Sequence, residues 1–136
     1  MDPLEQLRSR IEGFPGYDGD LERRRSDEFA RSYLGEALAD LIARFGSLPP
    51  PLQEHGDALL LRVGFADPKA FAIHHALTGT HSAAYDGDVA VHDLAVVELA
   101  DRAASLTADE LPGYLDEVTA VLDRREVSMR AAAAKL

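Results

Sequence analysis

The 136 residues of this chain suffice for one domain around a single hydrophobic core, and we interpret residues 1–136 as one helical-bundle domain. A hydrophobic fraction of 46% and a charged fraction of 28% are typical of a folded globular protein, and the lack of cysteine excludes disulfide scaffolds, zinc ribbons and thiol enzymes and favours the cytoplasm. A formal net charge of −10 disfavours nucleic acids and anionic lipids as partners, and neither a signal peptide nor a membrane-spanning apolar run is expected.

Two helices are predicted in the first third of the chain. Asp2 precedes Pro3 in the pattern of an N-cap followed by proline at the first helical position, which predicts a short helix to about Glu12. A glycine- and proline-rich loop follows. Asp20 is then the expected N-cap of a long amphipathic helix, because apolar residues recur at steps of three and four up to Gly46.

The middle of the chain is predicted to be helical with less regular periodicity. Leucine, alanine and glutamine prevail over β-branched residues from Leu52 onwards, which favours a buried helix ending at Gly64 over a strand. Asp67 and Pro68 repeat the cap-plus-proline pattern. They predict a further helix that continues as far as Leu77.

The last third predicts two more helices. The segment 85–88, Tyr-Asp-Gly-Asp, is interpreted as a loop before a helix from about 89 to 106. Thr107 and Glu110 have the spacing of a capping box, although Pro112 places the undistorted start of the next helix later. That last helix can run almost to the end of the chain.

No segment alternates with a period of two over a sufficient length to require a sheet, so the predicted fold class is all-α. We expect a compact antiparallel bundle of four or five helices, in which the main contact is the pairing of the 20–45 and 112–134 helices. The residues expected to pack between these two helices are Leu34, Leu38, Leu41, Phe45, Leu115, Val118 and Leu122.

The histidines offer the main possibility for a metal or small-molecule site. His74 and His81 share a face if both lie on one helix, and a metal site there would need a carboxylate that Asp86, Asp88 or Asp93 could supply. The sequence lacks both Glu-x-x-His and His-Glu-x-x-His, the patterns of di-iron bundles and common zinc hydrolases. The favoured interpretation is therefore that the histidines are structural and that the protein uses no cofactor, with a ligand site at His74 and His81 as the alternative.

Motifs for catalysis are also lacking. The sequence has no Gly-x-Ser-x-Gly, no phosphate-binding loop of the Walker type and no dinucleotide-binding glycine pattern. We therefore expect a non-enzymatic protein.

Surplus apolar and basic surface points instead to protein–protein contact. Val97 lies outside the main stripe of its helix, and Tyr114 and Val121 form a second seam on the last helix, so all three are predicted to be exposed. Arg23, Arg24 and Arg25 are a possible acid-binding patch. Residues 67–123 carry eleven acidic side chains and only two basic ones. Together these features predict a module that binds a protein partner or self-associates, with a two-fold homodimer as the simplest form.

The start of the chain also resembles a known group of sequences. Ile11-x-Gly13-Phe14-x-Gly16-Tyr17, followed by Arg23-Arg24-x-x-Asp27, is similar to the opening of a group of uncharacterised bacterial helical proteins. Members of that group carry an Ile-Pro-Gly-Phe/Tyr-x-Gly-Tyr loop, in which the position of the proline is occupied here by Glu12. The resemblance is confined to residues 11–27. It implies a helical bundle and carries no activity with it.

Overall fold

The computed structural model describes residues 1–71 and 84–136. Within these ranges the chain forms α-helices and short helical turns, and no strand, which confirms the predicted all-α bundle. The α-helices are α1 (Pro3–Arg10), α2 (Asp20–Phe45), α3 (Pro50–Val63), α4 (Ala90–Ala103) and α5 (Leu111–Ala134), with 3₁₀ turns at Pro68–Ala70 and Ala108–Glu110 and a π-helical turn at Tyr85–Val89. None of these helices is both long and apolar enough to cross a membrane.

The starts of α1 and α2 differ in how they are capped. Asp2 is the N-cap of α1 as predicted, because its Oδ1 accepts a hydrogen bond of 2.8 Å from the backbone N–H of Glu5. The N-cap of α2 is Gly19, so the prediction of Asp20 as the cap was wrong by one residue. Asp20 lies in the first helical turn, where its negative charge interacts favourably with the helix dipole. It also accepts a 2.8 Å hydrogen bond from Arg24.

Helix α4 is the centre of the bundle. It packs against α1, α2 and α5, whereas α2 and α5 have few close backbone contacts and share buried side chains of the first core cluster. The expected direct pairing of α2 with α5 is therefore replaced by a pairing of α2 with α4 and a pairing of α4 with α5. The reason is that α4 is apolar on more than one side: Val96 and Leu99 are buried, and so is Val97 outside the main stripe.

The buried side chains form two core clusters at opposite ends of α4 and α5. The first cluster contains the predicted stripes of α2 and α5, with Leu34, Leu38, Leu41, Leu115, Val118 and Leu122 all buried and Phe45 packed at its edge. The second cluster joins α1 and the loop after it to the end of α5; its largest members are Leu7, Phe14, Tyr17, Phe71, Tyr85 and Met129. The predicted burial of the α2 and α5 stripes is thus confirmed for all but Phe45.

Three short segments test the predictions made for helix boundaries. Asp67 accepts a 3.1 Å hydrogen bond from the Lys69 N–H as the predicted cap, but only a 3₁₀ turn follows and Phe71 is extended, with φ −125° and ψ 149°. The predicted continuation of that helix to Leu77 lies outside the described residues. The capping box is confirmed, since the Thr107 N–H donates to Glu110 Oε1 at 2.9 Å, and α5 begins at Leu111 with its proline in the first turn.

The predicted loop at residues 85–88 is instead a π-helical turn that runs directly into α4. Tyr85 and Val89 are each 1% exposed, and Asp86 and Gly87 between them are not fully buried. Helical continuation brings Tyr85 and Val89, four positions apart, to the core side of the chain. Their burial therefore outweighs the preference of the Asp-Gly-Asp sequence for a loop.

Candidate functional site

The loop between α1 and α2 is fixed by two glycines. Gly13 and Gly16 have φ angles of 79° and 91°, in the left-handed region that glycine adopts readily. A Cβ at Gly16 would also lie 2.7 Å from a guanidinium nitrogen of Arg8. This path turns Phe14 and Tyr17 into the core, where they are 4% and 2% exposed. Phe14 and Tyr17 both lie within residues 11–27, the segment described above.

Tyr17 leads into a network of buried charged side chains that links α2, α4 and α5. Arg125, only 6% exposed, donates from Nε to Asp93 and from Nη2 to Asp27, each at 2.6 Å. Arg31 donates from Nε to the second oxygen of Asp27 at 2.9 Å, and the Tyr17 hydroxyl donates to the second oxygen of Asp93 at 2.6 Å. We call these five residues the buried network. Its two arginines balance its two carboxylates.

Tyr17 and Arg125 of the buried network are not suited to proton transfer at neutral pH. Burial, together with the adjacent carboxylate of Asp93, raises the pKa of Tyr17 well above its usual value, so the hydroxyl stays protonated. Burial opposes the charge of Arg125, but Asp93 and Asp27 outweigh it and raise the pKa of that guanidinium. A general acid or base at neutral pH requires a pKa near the working pH. The network is therefore suited to hold three helices and a loop together.

The three consecutive arginines do not form one exposed patch. Arg23 is 2% exposed, and its guanidinium lies 4.6 Å from the centre of the Tyr85 ring. Arg24 pairs with Asp20 and stacks 4.7 Å from the centre of the Phe71 ring, whereas Arg25 is exposed. The prediction of a common acid-binding patch was wrong in its first member, because the side chain of Arg23 points into the second core cluster.

The apolar residues predicted to be exposed are buried within the chain itself. Val97, Tyr114 and Val121 are 0%, 2% and 6% exposed, and the Tyr114 hydroxyl donates to the Leu99 carbonyl at 2.6 Å. The expectation of exposure was wrong because it assigned one buried stripe to each helix. Because α4 lies at the centre of the bundle, neighbouring helices cover its second side, and α4 in turn covers the second seam of α5.

The alternative ligand site cannot be placed on the fold, since His74 and His81 lie outside the described residues. Of its possible carboxylates, Asp93 is bound to Arg125 and Tyr17. Among the residues that the structure describes, no three histidine, aspartate or glutamate side chains form a group that could hold a metal ion.

Exposed apolar surface remains beside α4 and α5 after these corrections. A groove of about 560 Å³ runs between the start of α4 and the second half of α5. Val91 and Val127 are exposed at its edges, at 49% and 70%. We call this the α4–α5 groove; it is lined by Asp88, Val91, His92, Asp123, Arg124, Val127 and Ser128.

Sequence reasoning missed the central members of the buried network, Asp93 and Arg125, as partners. Tyr17 and Asp27 lie within residues 11–27, and no local feature of the sequence marks Asp93 or Arg125 as their partners. In comparisons with family models, curated proteins and solved structures, nothing matches this chain.

Proposed function

We propose that this protein is a non-enzymatic helical module that self-associates as a two-fold homodimer through the α4–α5 groove. The observation that carries the proposal is the exposure of Val91 and Val127 on neighbouring helices at the edges of the groove. Valine side chains exposed together on neighbouring helices gain free energy when a partner covers them.

A second copy of this chain suits the groove because the groove and the exposed Val127 side chain lie next to each other. Val127 projects from the same face on which the groove opens, so a two-fold axis allows each Val127 to enter the groove of the other protomer. The rim carries both signs of charge, with Asp88 and Asp123 beside Arg124. In a two-fold contact each Arg124 can therefore approach a carboxylate of the other copy.

The net charge of −10 sets the salt dependence of this association. Two strongly acidic protomers repel each other at long range, and salt at physiological ionic strength screens the repulsion between charges more than about 8 Å apart. We therefore expect the dimer to strengthen from low to moderate salt. An association with a basic partner protein would weaken under the same change.

The test is the molar mass in solution, measured by light scattering and sedimentation at tens of micromolar protein. Val127→Asp places a charge in the centre of the proposed contact and should give a monomer. Leu61→Asp is the matched control, because Leu61 is 66% exposed on α3, outside the groove, and should leave the dimer intact.

Two outcomes contradict the proposal. A monomer in both low and moderate salt would exclude self-association. A dimer that survives Val127→Asp but is lost in Leu61→Asp would place the interface on α3 instead.

A further inference from the structure

A second cavity lies away from the α4–α5 groove. It encloses about 230 Å³ between the end of α3, the connection that follows it and the second half of α5. Its lining combines apolar side chains with three guanidinium groups, from Val63, Phe65, Met129, Arg31, Arg62 and Arg125.

Arg31 and Arg125 reach this cavity from the buried network. Each binds one oxygen of Asp27, so the carboxylate holds the two guanidinium groups side by side. Arg125 uses Nε and Nη2 in the network, and Arg31 uses Nε and donates from Nη1 to the Val63 carbonyl at 3.1 Å. Nη1 of Arg125 and Nη2 of Arg31 make no hydrogen bond to any residue that the structure describes.

Two carboxylates, those of Asp67 and Glu126, also line the cavity, and both are already paired. Asp67 accepts two hydrogen bonds from Arg130, at 2.7 and 3.2 Å. Glu126 pairs with Arg62 at 3.1 Å and also with Arg130. The cavity-lining groups of the buried network that the described residues leave without a hydrogen bond are therefore the two guanidinium nitrogens, Nη1 of Arg125 and Nη2 of Arg31. Since arginine has five N–H donors and no acceptor, a ligand that contacts Arg31 and Arg125 must supply acceptor oxygens.

We propose that this cavity binds a small organic acid, with its carboxylate between Arg31 and Arg125 and its apolar part against Val63, Phe65 and Met129. Arginine forks match the two oxygens of a carboxylate, and the apolar lining favours a hydrocarbon group over a bare inorganic anion. The volume has room for about seven water-sized groups, which limits the acid to a short chain or a small branched one.

The test uses 3-methylbutanoate as the probe and the neutral 3-methylbutanamide as its isostere, with binding followed by amide chemical shifts of the intact chain. We expect saturable shifts at residues 62–67 and 122–130, and at least tenfold tighter binding of the acid than of the amide. Inorganic phosphate at the same concentration should bind at least tenfold more weakly than the acid.

Two variants examine the two halves of the site. Arg31→Gln should weaken binding of the acid at least tenfold, whereas Arg102→Gln removes an exposed arginine that pairs with Glu117 and should leave it unchanged. Ala66→Phe adds a ring to the exposed cavity lining and should abolish binding without disturbing the buried network. If Arg31→Gln fails to fold by circular dichroism, Ala66→Phe decides.

The proposal is overturned if the acid produces no saturable shift, or if the amide or phosphate binds as tightly as the acid. Undiminished binding by folded Arg31→Gln, or by Ala66→Phe, would equally overturn it. These outcomes are independent of the homodimer, because the cavity and the α4–α5 groove have no lining residue in common.

Discussion

The first core cluster and the buried network are built on different physical principles. In the first cluster, leucine and valine side chains of α2, α3, α4 and α5 fill the space between the helices. Beside the second cluster, Asp27, Asp93 and Arg125 are buried at 3%, 1% and 6% exposure. Hydrophobic burial scales with area and tolerates changes of partner, whereas buried charges require defined partners at defined distances. The first cluster can be repacked, and the buried network has to be kept or replaced as a unit.

The largest effect is expected for Arg125→Met. The change leaves the buried carboxylate of Asp93 without its cation and should lower the free energy of unfolding by about 3–5 kcal/mol. The triple variant Tyr17→Phe, Asp93→Leu, Arg125→Met removes the charge and its donors together and should recover part of that loss. Urea unfolding followed by circular dichroism measures both. If the triple variant loses as much as the sum of its single changes, the network does not act as a unit.

Leu38→Ala tests the first cluster. Leu38 is fully buried, so the shortened side chain loses apolar contacts and leaves a cavity, which should cost about 2–5 kcal/mol. Leu21→Ala is the control, because Leu21 lies on the same helix but is 63% exposed and should change stability by less than about 0.5 kcal/mol. An equal melting temperature for Leu38→Ala and the unchanged protein would contradict the described packing of α2.

Ionisation of two buried tyrosines, Tyr114 and Tyr17, should lower the stability of the fold at alkaline pH. Burial raises the pKa of Tyr114 from 10.0 to about 12, and burial with Asp93 raises the pKa of Tyr17 further. The unfolded chain ionises first, so the stabilisation is complete below pH 10 and is lost as the pH rises towards 12. For Tyr114 a raised pKa of this size corresponds to about 3 kcal/mol.

The measurement is the unfolding free energy as a function of pH, with Tyr114→Phe compared with the unchanged protein. The variant has no phenol to ionise at this position, so its stability should decline less steeply above pH 10. Parallel curves would show that the Tyr114 hydroxyl titrates as it does in water.

The smallest effect is expected for the loss of a single tyrosine hydroxyl, which we compare at a buried and at an exposed position. Tyr17→Phe removes the 2.6 Å hydrogen bond to Oδ2 of the buried Asp93, which keeps Arg125 as its other donor, and should cost about 1–3 kcal/mol. Tyr33→Phe is the matched control. The Tyr33 hydroxyl bonds to Asp101 at an exposed position, where water replaces the lost donor. Equal losses in thermal unfolding would mean that burial adds nothing to the Tyr17 bond.

The helices of the first cluster could be predicted because the sequence of each helix contains apolar residues at helical spacing. Leu34, Leu38 and Leu41 follow one another at helical spacing, and their burial requires only that some partner exists. The same reasoning failed for Val97, because burial on a second side depends on the neighbours of α4. That information is distributed over the other helices.

The buried network could not be predicted for a different reason. A pattern of apolar and polar residues assigns Asp93 and Arg125 to the surface, and nothing local to either marks them as partners 32 positions apart. Nothing in the sequence predicted the role of Tyr17 or Asp27 in the network. The role appears once the left-handed glycines turn the loop inward and place the tyrosine hydroxyl on Asp93.

The separation of these residues along the chain has a consequence for the lifetime of the folded state. The Asp27–Arg125 and Tyr17–Asp93 bonds join positions 98 and 76 residues apart, so each closes a long loop. Helices and local hairpins form within microseconds, whereas contacts of long sequence separation carry the entropic cost of closing the loop. We expect such bonds to form after the folding barrier has been crossed. Loss of the network would then accelerate unfolding and leave the folding rate nearly unchanged, so that these buried charges govern how long a folded molecule persists between openings.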